Sequence, residues 1–315
     1  MKNRNKYLTE ILNRYPINNN SKNNLIIDQK INGAKETKLC STEVETDSKI
    51  GIVIVPGMTV PRESYFKLLS HLSNHNVLLY DLRGQSYSEG EINSKNCIKD
   101  VNIVGQEFKQ RRNLDYLVAV GHSFGGMNVL MSSIENDHPY DLRISLAAPE
   151  NLKKAAGFIP NIFSSQMAFL HNYIRTKQIP ALNDDIVKHY QSFEWNLYKK
   201  NPRIVSLNIK NPKYFNQTRV ETPKLSEIIK QIKKPSYLIY PGNDKRLKIN
   251  SKNSTDYNRL ASLVNLYKLN FEIIDGLSHR FNKGIEKEFI LSYDNDNVVD
   301  KVKNIIEKEN KNYTL

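Results

Sequence analysis

Between Tyr116 and Leu130 the chain reads YLVAVGHSFGGMNVL, an apolar run that stops at a glycine, passes a single serine and resumes as helix-forming residues after two more glycines. A short, continuous, valine-rich run of this kind suits a strand covered on both faces. If that strand becomes a helix within three residues, the turn between them is sharp and crowded, and the positions flanking it must lack a side chain. The unit is therefore strand, turn, helix, and its surroundings must supply a sheet with two covered faces.

Matching runs recur along the chain. KIGIVIVPGM, NVLLYDLRG, DLRISLAAPE, PSYLIYPGND and NFEIIDGLSH each read as a strand ending in turn residues. Helical patterns separate several of them, at Ser64 to Leu72, after the loop SYSEGEINSKN, and over GGMNVLMSSIE. This alternation predicts an α/β fold with a doubly wound, mostly parallel sheet. Ahead of it, LIIDQKI and AKETKLC flank Asn32-Gly33, a dipeptide that accepts the positive φ of a tight turn, so a hairpin is expected there. From residue 151 to 233 the rhythm breaks into an apolar helical stretch and then a lysine-bearing polar one, which predicts a helical cap inserted over the sheet's C-terminal edge. The expected organisation is an N-terminal helix (Tyr7 to Tyr15) with a polar connector over 1–24, a first core part over 25–150, the cap over 151–233, and a second core part over 234–315.

Composition narrows the class. The formal net charge of +13 raises nucleic acid as a partner, but the lysines are scattered among Asn and Ile rather than clustered, so a solvated basic surface is the expectation and no nucleic-acid partner is assigned. The two cysteines, Cys40 and Cys97, show no metal-ligand or disulfide spacing and read as free thiols of a reducing compartment. The opening MKNRNKYLTEILNRYPINNN lacks the apolar segment of a secretion signal, and no run reaches the length of a membrane span. A cytoplasmic protein is expected. Composition says nothing of oligomeric state.

The chemistry centres on Gly121-His122-Ser123-Phe124-Gly125, a G-x-S-x-G in the strand-turn-helix setting that this motif requires. There the Ser123 hydroxyl would stand clear of its backbone, and the N–H of Phe124, at a helix start, would face charge developing beside it. A serine hydroxyl needs a base. Of seven histidines, His71, His75, His138, His171 and His189 lie in helical or polar stretches, and His122 sits on the turn itself, pointing another way. His279 lies past a strand end, at the edge where catalytic groups of open parallel sheets collect, and is the candidate base. The carboxylate that orients it is expected at Asp244, past PSYLIYPGN, with Glu150 and Asp275 as rivals. A second oxyanion donor is expected from VIVPGMTV, where Gly57 lets the chain turn and the N–H of Met58 would join that of Phe124.

These residues resemble the α/β-hydrolases, in the serine-hydrolase branch that includes monoacylglycerol-lipase-like and lysophospholipase-like enzymes and the serine aminopeptidases. The similarity runs from about residue 25 to 305, and the chain order Ser123, Asp244, His279 is the one this fold uses. YDLRGQSYSEG is similar to the family's D-x-R-G-x-G-x-S loop, with Asp81, Arg83, Gly84 and Ser88 in place and Ser86 at the second glycine. Asp81 and Arg83 read as ties between loops. Pro56-Gly57 stands where relatives often carry His-Gly.

The resemblance implies a serine hydrolase that cleaves a carboxylic ester through a covalent acyl-enzyme, with no metal and no organic cofactor. Its partner would be a small acyl ester or thioester. Two alternatives stand beside it: a thioesterase or acyltransferase with the same triad, its basic rim touching an acyl carrier, and a noncatalytic ligand-binding protein of this fold. The apolar stretch Ala168 to Ile174 leaves a transient membrane contact open as well.

Overall fold

The run Ile50–Val55 contains no polar side chain, so water on either face would be unfavourable, and both faces are covered. Ile52 and Ile54 belong to one apolar cluster, Val53 and Val55 to another across the sheet. The split follows the pleat's period of two. It repeats in the neighbours, with Val77 and Leu79 set against Leu78 and Tyr80, and Val118 and Val120 against Leu117 and Ala119.

The structure, a computed structural model, describes residues 12, 17, 24–58, 60, 62–152, 222–233, 235–244, 249–250, 255–277 and 296–314. In chain order the elements are β1 (Asn24–Asn32), β2 (Lys38–Glu45), β3 (Ile50–Val55), α1 (Phe66–His71), β4 (Asn76–Tyr80), α2 (Ser94–Arg112), β5 (Tyr116–His122) and α3 (Phe124–Ser132). They continue with β6 (Leu142–Leu146), α4 (Leu225–Ile228), β7 (Ser236–Pro241), the short strands β8 (Asn243–Asp244) and β9 (Ile249–Asn250), α5 (Thr255–Leu266), β10 (Asn270–Ile274) and α6 (Asp296–Thr314). The main sheet has eight strands in the order β1-β2-β4-β3-β5-β6-β7-β10. Only β2 runs against the others, pairing antiparallel with β1 and β4. From β3 the chain winds outward to β4 and then returns, through α2, to β5 on the other side of β3. The C-terminal ends of β3 and β5 thus form the switch point of the winding, where such sheets bind their ligands.

Helices α1 and α6 cover one face, and α2, α3, α4 and α5 the other. The buried residues of α6, Val298, Val299, Val302, Ile305 and Ile306, recur at the spacing of one helical stripe. Residues 222–233, the end of the interval read as a cap, pack into the body: Leu225, Ile228, Ile229 and Ile232 share a cluster with Met127, Leu130 and Leu238. Residues 153–221 of that interval lie outside the described residues, as does the expected N-terminal helix apart from Leu12, which packs on the α1 face. Among the described residues no helix is long and apolar enough to cross a membrane, and no group of three or more His, Cys, Asp or Glu is placed to hold a metal ion.

The first hairpin forms, but not through a two-residue turn at Asn32-Gly33. Asn32 pairs with Lys38, Gly33 is extended, and the positive φ angles fall on Lys35 and Glu36 instead. The reason is tertiary. Asp100 on α2 accepts the Ala34 N–H at 2.7 Å, and Arg83 donates to the Ala34 carbonyl at 3.0 Å, so the turn is shaped by what it sits on.

Arg83 also grips Asp100 with two bonds of 2.6 Å, from Nε and Nη2, in a pair whose side chains are 4% and 1% exposed. A buried ion pair contributes little over an apolar substitute, but removing one partner strands the other charge away from water. Asp100→Asn should therefore lower unfolding stability by about 3–5 kcal/mol, read as a shift in the urea midpoint with the slope unchanged.

Candidate active site

β5 delivers Ser123 at its C-terminal end in a conformation that serine rarely adopts, with φ 53° and ψ −120°. Such a conformation persists only where the surroundings over-determine it. Here the Ser123 N–H donates to the Leu146 carbonyl at 2.8 Å, and its own carbonyl accepts from Met127 N–H at 3.0 Å. The flanking glycines leave no alternative. A Cβ on Gly121 would stand 2.4 Å from the Gly125 carbonyl oxygen, and one on Gly125 would stand 2.2 Å from that of Val55. The serine is thus pushed out between two touching backbones, and its side chain is only half-buried.

The sheet register sets what faces it. Val55 pairs with Gly121, which brings Pro56, Gly57 and Met58 alongside His122, Ser123 and Phe124. A Cβ on Gly57 would lie 3.3 Å from Ser123 Cβ. Phe124 opens α3, so its N–H has no acceptor within the helix, while its ring is buried in the α2 face. Met58, half-buried, packs against the same cluster. The two expected donor residues therefore flank the serine.

Asp244 closes β8, three positions past the end of β7, and is fully buried. β7 pairs in parallel with β10, Pro241 opposite Ile274, and beyond them the Gly242 N–H donates to the Ile274 carbonyl at 2.8 Å. Gly242 lies so close that a Cβ there would stand 2.7 Å from Asp275 Oδ1. The strand end carrying Asp244 and the strand end leading towards position 279 are thereby clamped side by side. The chain after β10 is buried at Leu277 in the α1 face; His279 itself lies outside the described residues.

The rivals of Asp244 are placed differently. Glu150 accepts from Ser226 N–H at 2.9 Å and from the Ser226 hydroxyl, and its carbonyl accepts from Leu225 N–H at 2.9 Å, so it holds the start of α4. Asp275 is exposed and precedes Gly276, whose φ of +74° makes the turn.

The DLRG loop braces the site from behind. Asp81 accepts from Arg62 N–H at 3.1 Å and from Arg62 Nη1 at 3.0 Å, and Arg62 reaches on to Asp28. Asp28 can meet it because β1 bulges between Ile27 and Gln29. Burial, with Glu63 nearby, pushes the Asp81 carboxyl up to about 7 against the pull of Arg62. Ser86, which stands at the second glycine of the family's loop pattern, takes a left-handed conformation, φ 45°. Both cysteines are free and buried, with thiols pushed up to about 11 at Cys40 and about 12 at Cys97 by desolvation, which removes them as nucleophiles.

One link was not legible in the sequence. The Gly57 N–H donates to the Tyr65 hydroxyl at 2.7 Å, and that hydroxyl lies 3.0 Å from His122 Nδ1. His122 is set aside as a base by its place on the turn, and neither residue stands out by spacing.

A family model described as serine aminopeptidase, S33, matches residues 46–283. The chain belongs to that family and has the α/β-hydrolase fold. A search of curated proteins finds no match. Among solved structures, the esterase Pf2001 of Pyrococcus furiosus is 16% identical, with a TM-score of 0.59 over 91% of this chain and 91% of its own. A lipase-esterase related protein from Clostridium acetobutylicum is 18% identical, with a TM-score of 0.56 over 84% of this chain and 98% of its own. The α/β-hydrolase GrgF from a Penicillium species is 13% identical, with a TM-score of 0.60 over 92% and 96%. At these identities the likeness is one of fold.

Two outcomes follow from the contacts. Gly125→Ala should cost about 1–3 kcal/mol or more by overpacking and prise the elbow from the end of β3, seen as a lowered melting temperature. Glu150→Ala should cost about 1–2 kcal/mol through loss of the helix start while leaving turnover unchanged, checked by denaturation beside an ester assay.

Proposed function

We propose that the protein is a serine esterase acting on a small acyl ester, with Ser123 as nucleophile, His279 as base, Asp244 as the acid that orients it, and the N–H groups of Met58 and Phe124 as the oxyanion hole. The observation that carries this reading is the Ser123 backbone, held at positive φ at the switch point of the sheet with the Gly57 turn packed against its Cβ. Strain of that kind is retained where it serves a purpose, and here it presents a hydroxyl at the sheet edge used by catalytic groups. Membership of a serine-hydrolase family supports the reaction type, and the names of the fold neighbours, an esterase and a lipase-esterase related protein, support the ester.

In this mechanism His279 takes the Ser123 proton as the oxygen attacks the ester carbonyl carbon. The carbonyl oxygen gains negative charge and moves towards the N–H groups of Met58 and Phe124, which in this reading stabilise it with little reorganisation. Protonated His279 then gives its proton to the departing alkoxide, leaving an acyl group on Ser123. Water, deprotonated by His279, attacks the acyl carbon, and Ser123 leaves with the proton returned. Asp244 keeps the imidazole in the tautomer that can accept from serine and stabilises its charged form. Nucleophile, base and charge stabilisation are all supplied by the chain, so no metal or organic cofactor enters the scheme. Selection of the acyl group would fall to the cap expected over residues 151–233, of which 222–233 pack into the core and 153–221 lie outside the described residues. A reducing compartment, and so the cytoplasm, fits two buried free thiols.

The test is steady-state hydrolysis of p-nitrophenyl esters of increasing chain length. Ser123→Ala should lose turnover by at least about a thousandfold while melting normally, and Asp244→Asn should lower kcat by about 10³–10⁴ with KM nearly unchanged. Full activity in Ser123→Ala would overturn the mechanism. A harmless Asp244→Asn beside a crippled Glu150→Ala would reassign the acid.

A further inference from the structure

We propose that Tyr65 and His122 form a buried hydrogen-bonded strut that positions the oxyanion hole, so that both are positioning residues for the reaction although neither touches substrate. This rests on the esterase reading above, in which Met58 and Phe124 supply the two N–H groups.

Gly57 immediately precedes Met58, and His122 immediately precedes Ser123 and Phe124. The Gly57 N–H donates to Tyr65 Oη at 2.7 Å, and the same oxygen lies 3.0 Å from His122 Nδ1. Tyr65 is 1% exposed and His122 3%, so no water competes for these bonds. A backbone N–H can only donate, so the phenol oxygen receives the Gly57 proton, and a second hydrogen bond joins the same oxygen to His122 Nδ1. The chain thus connects the peptide before one oxyanion donor to the residue just ahead of the nucleophile and the other donor.

The need for it follows from Gly57. Close approach demands a residue without a Cβ, since one would meet His122 Nδ1 and Ser123 Cβ at 3.3 Å each. The same absence frees the glycine backbone, so the plane of the following peptide, and with it the aim of the Met58 N–H, is not set locally. Pro56 fixes only its own φ. The hydrogen bond from Gly57 N–H to Tyr65 holds one side of that glycine, and the turn bond from Val60 N–H to the Gly57 carbonyl, 3.2 Å, holds the other. An N–H aimed slightly wrong would still admit substrate but would stabilise the oxyanion less, so the cost falls on kcat and not on KM.

The experiment uses the full chain and compares ester hydrolysis and Ser123 labelling by a fluorophosphonate in four variants. Tyr65→Phe keeps the ring and removes the hydroxyl. It should lower kcat by about 10–100-fold, less than the 10²–10³ expected for deleting a donor outright, with KM within about threefold. His122→Asn carries an amide close to where Nδ1 stands, able to accept from or donate to the Tyr65 hydroxyl, so it should retain most of kcat. His122→Leu should match Tyr65→Phe, and the double variant Tyr65→Phe/His122→Leu should be no worse than either single change. A Tyr65→Phe protein with kcat within threefold of the wild type would overturn the strut. Should Tyr65→Phe fail to fold, the two His122 variants decide: equal losses in Asn and Leu would overturn it, and rescue by Asn alone would support it. A wild-type protein that neither hydrolyses esters nor labels at Ser123 would defeat the esterase reading and the strut together, an outcome distinct from an active wild type with indifferent variants.

Discussion

The contact on which everything else depends is that of two backbones, the end of β3 against the turn after β5. Gly125 sits where any side chain would collide with the Val55 and Pro56 carbonyls, and Gly121 where one would collide with Gly125 itself. Because neither position can move apart without unpairing the centre of the sheet, Ser123 has no relaxed conformation open to it and takes a positive φ. The same closeness carries the Gly57 turn to the serine. One steric constraint thereby sets Ser123, helix start and facing loop together, before any polar contact is considered.

Polar contacts then hold the loops that this constraint brings near. The segment after β3 is tied at Tyr65 to His122 and at Arg62 to Asp81, so it is fastened to the strands on either side, β5 and β4. Arg83 and Asp100 bind the first hairpin to α2, and Ser88 links the Asp81 carbonyl to the Cys40 N–H on β2. These bonds lie behind the site rather than in it. Their shared effect is to fasten one edge of the sheet, which the proposed stabilisation of an oxyanion would need more than added binding.

Much of the fold was legible in the sequence because its signals are local. A valine- and isoleucine-rich run such as Ile50–Val55 has one physical solution in a large domain, and the glycines around Ser123 announce their own crowding. What could not be read depends on partners far along the chain. The hairpin turn moved to Lys35 and Glu36 because Asp100, 66 positions from Ala34, holds it there. Glu150 was a rival to Asp244 on chemical grounds, and its hydrogen bonds to Ser226, 76 positions later, have no signal in the sequence. Tyr65 and His122 carry no pattern at all, since a phenol and an imidazole 57 residues apart meet only once the sheet register is set. Asp28 likewise meets Arg62 only through a bulge that no local propensity specifies.

The central claim is that Ser123 is an activated nucleophile and not a turn residue that happens to lie between glycines. Its most direct test is reaction of the purified wild-type protein with a fluorophosphonate, read by intact mass and peptide mapping. The account predicts one adduct per chain, on Ser123, formed far faster than on any other hydroxyl. An adduct on another residue, or none on protein shown to be folded, would contradict it.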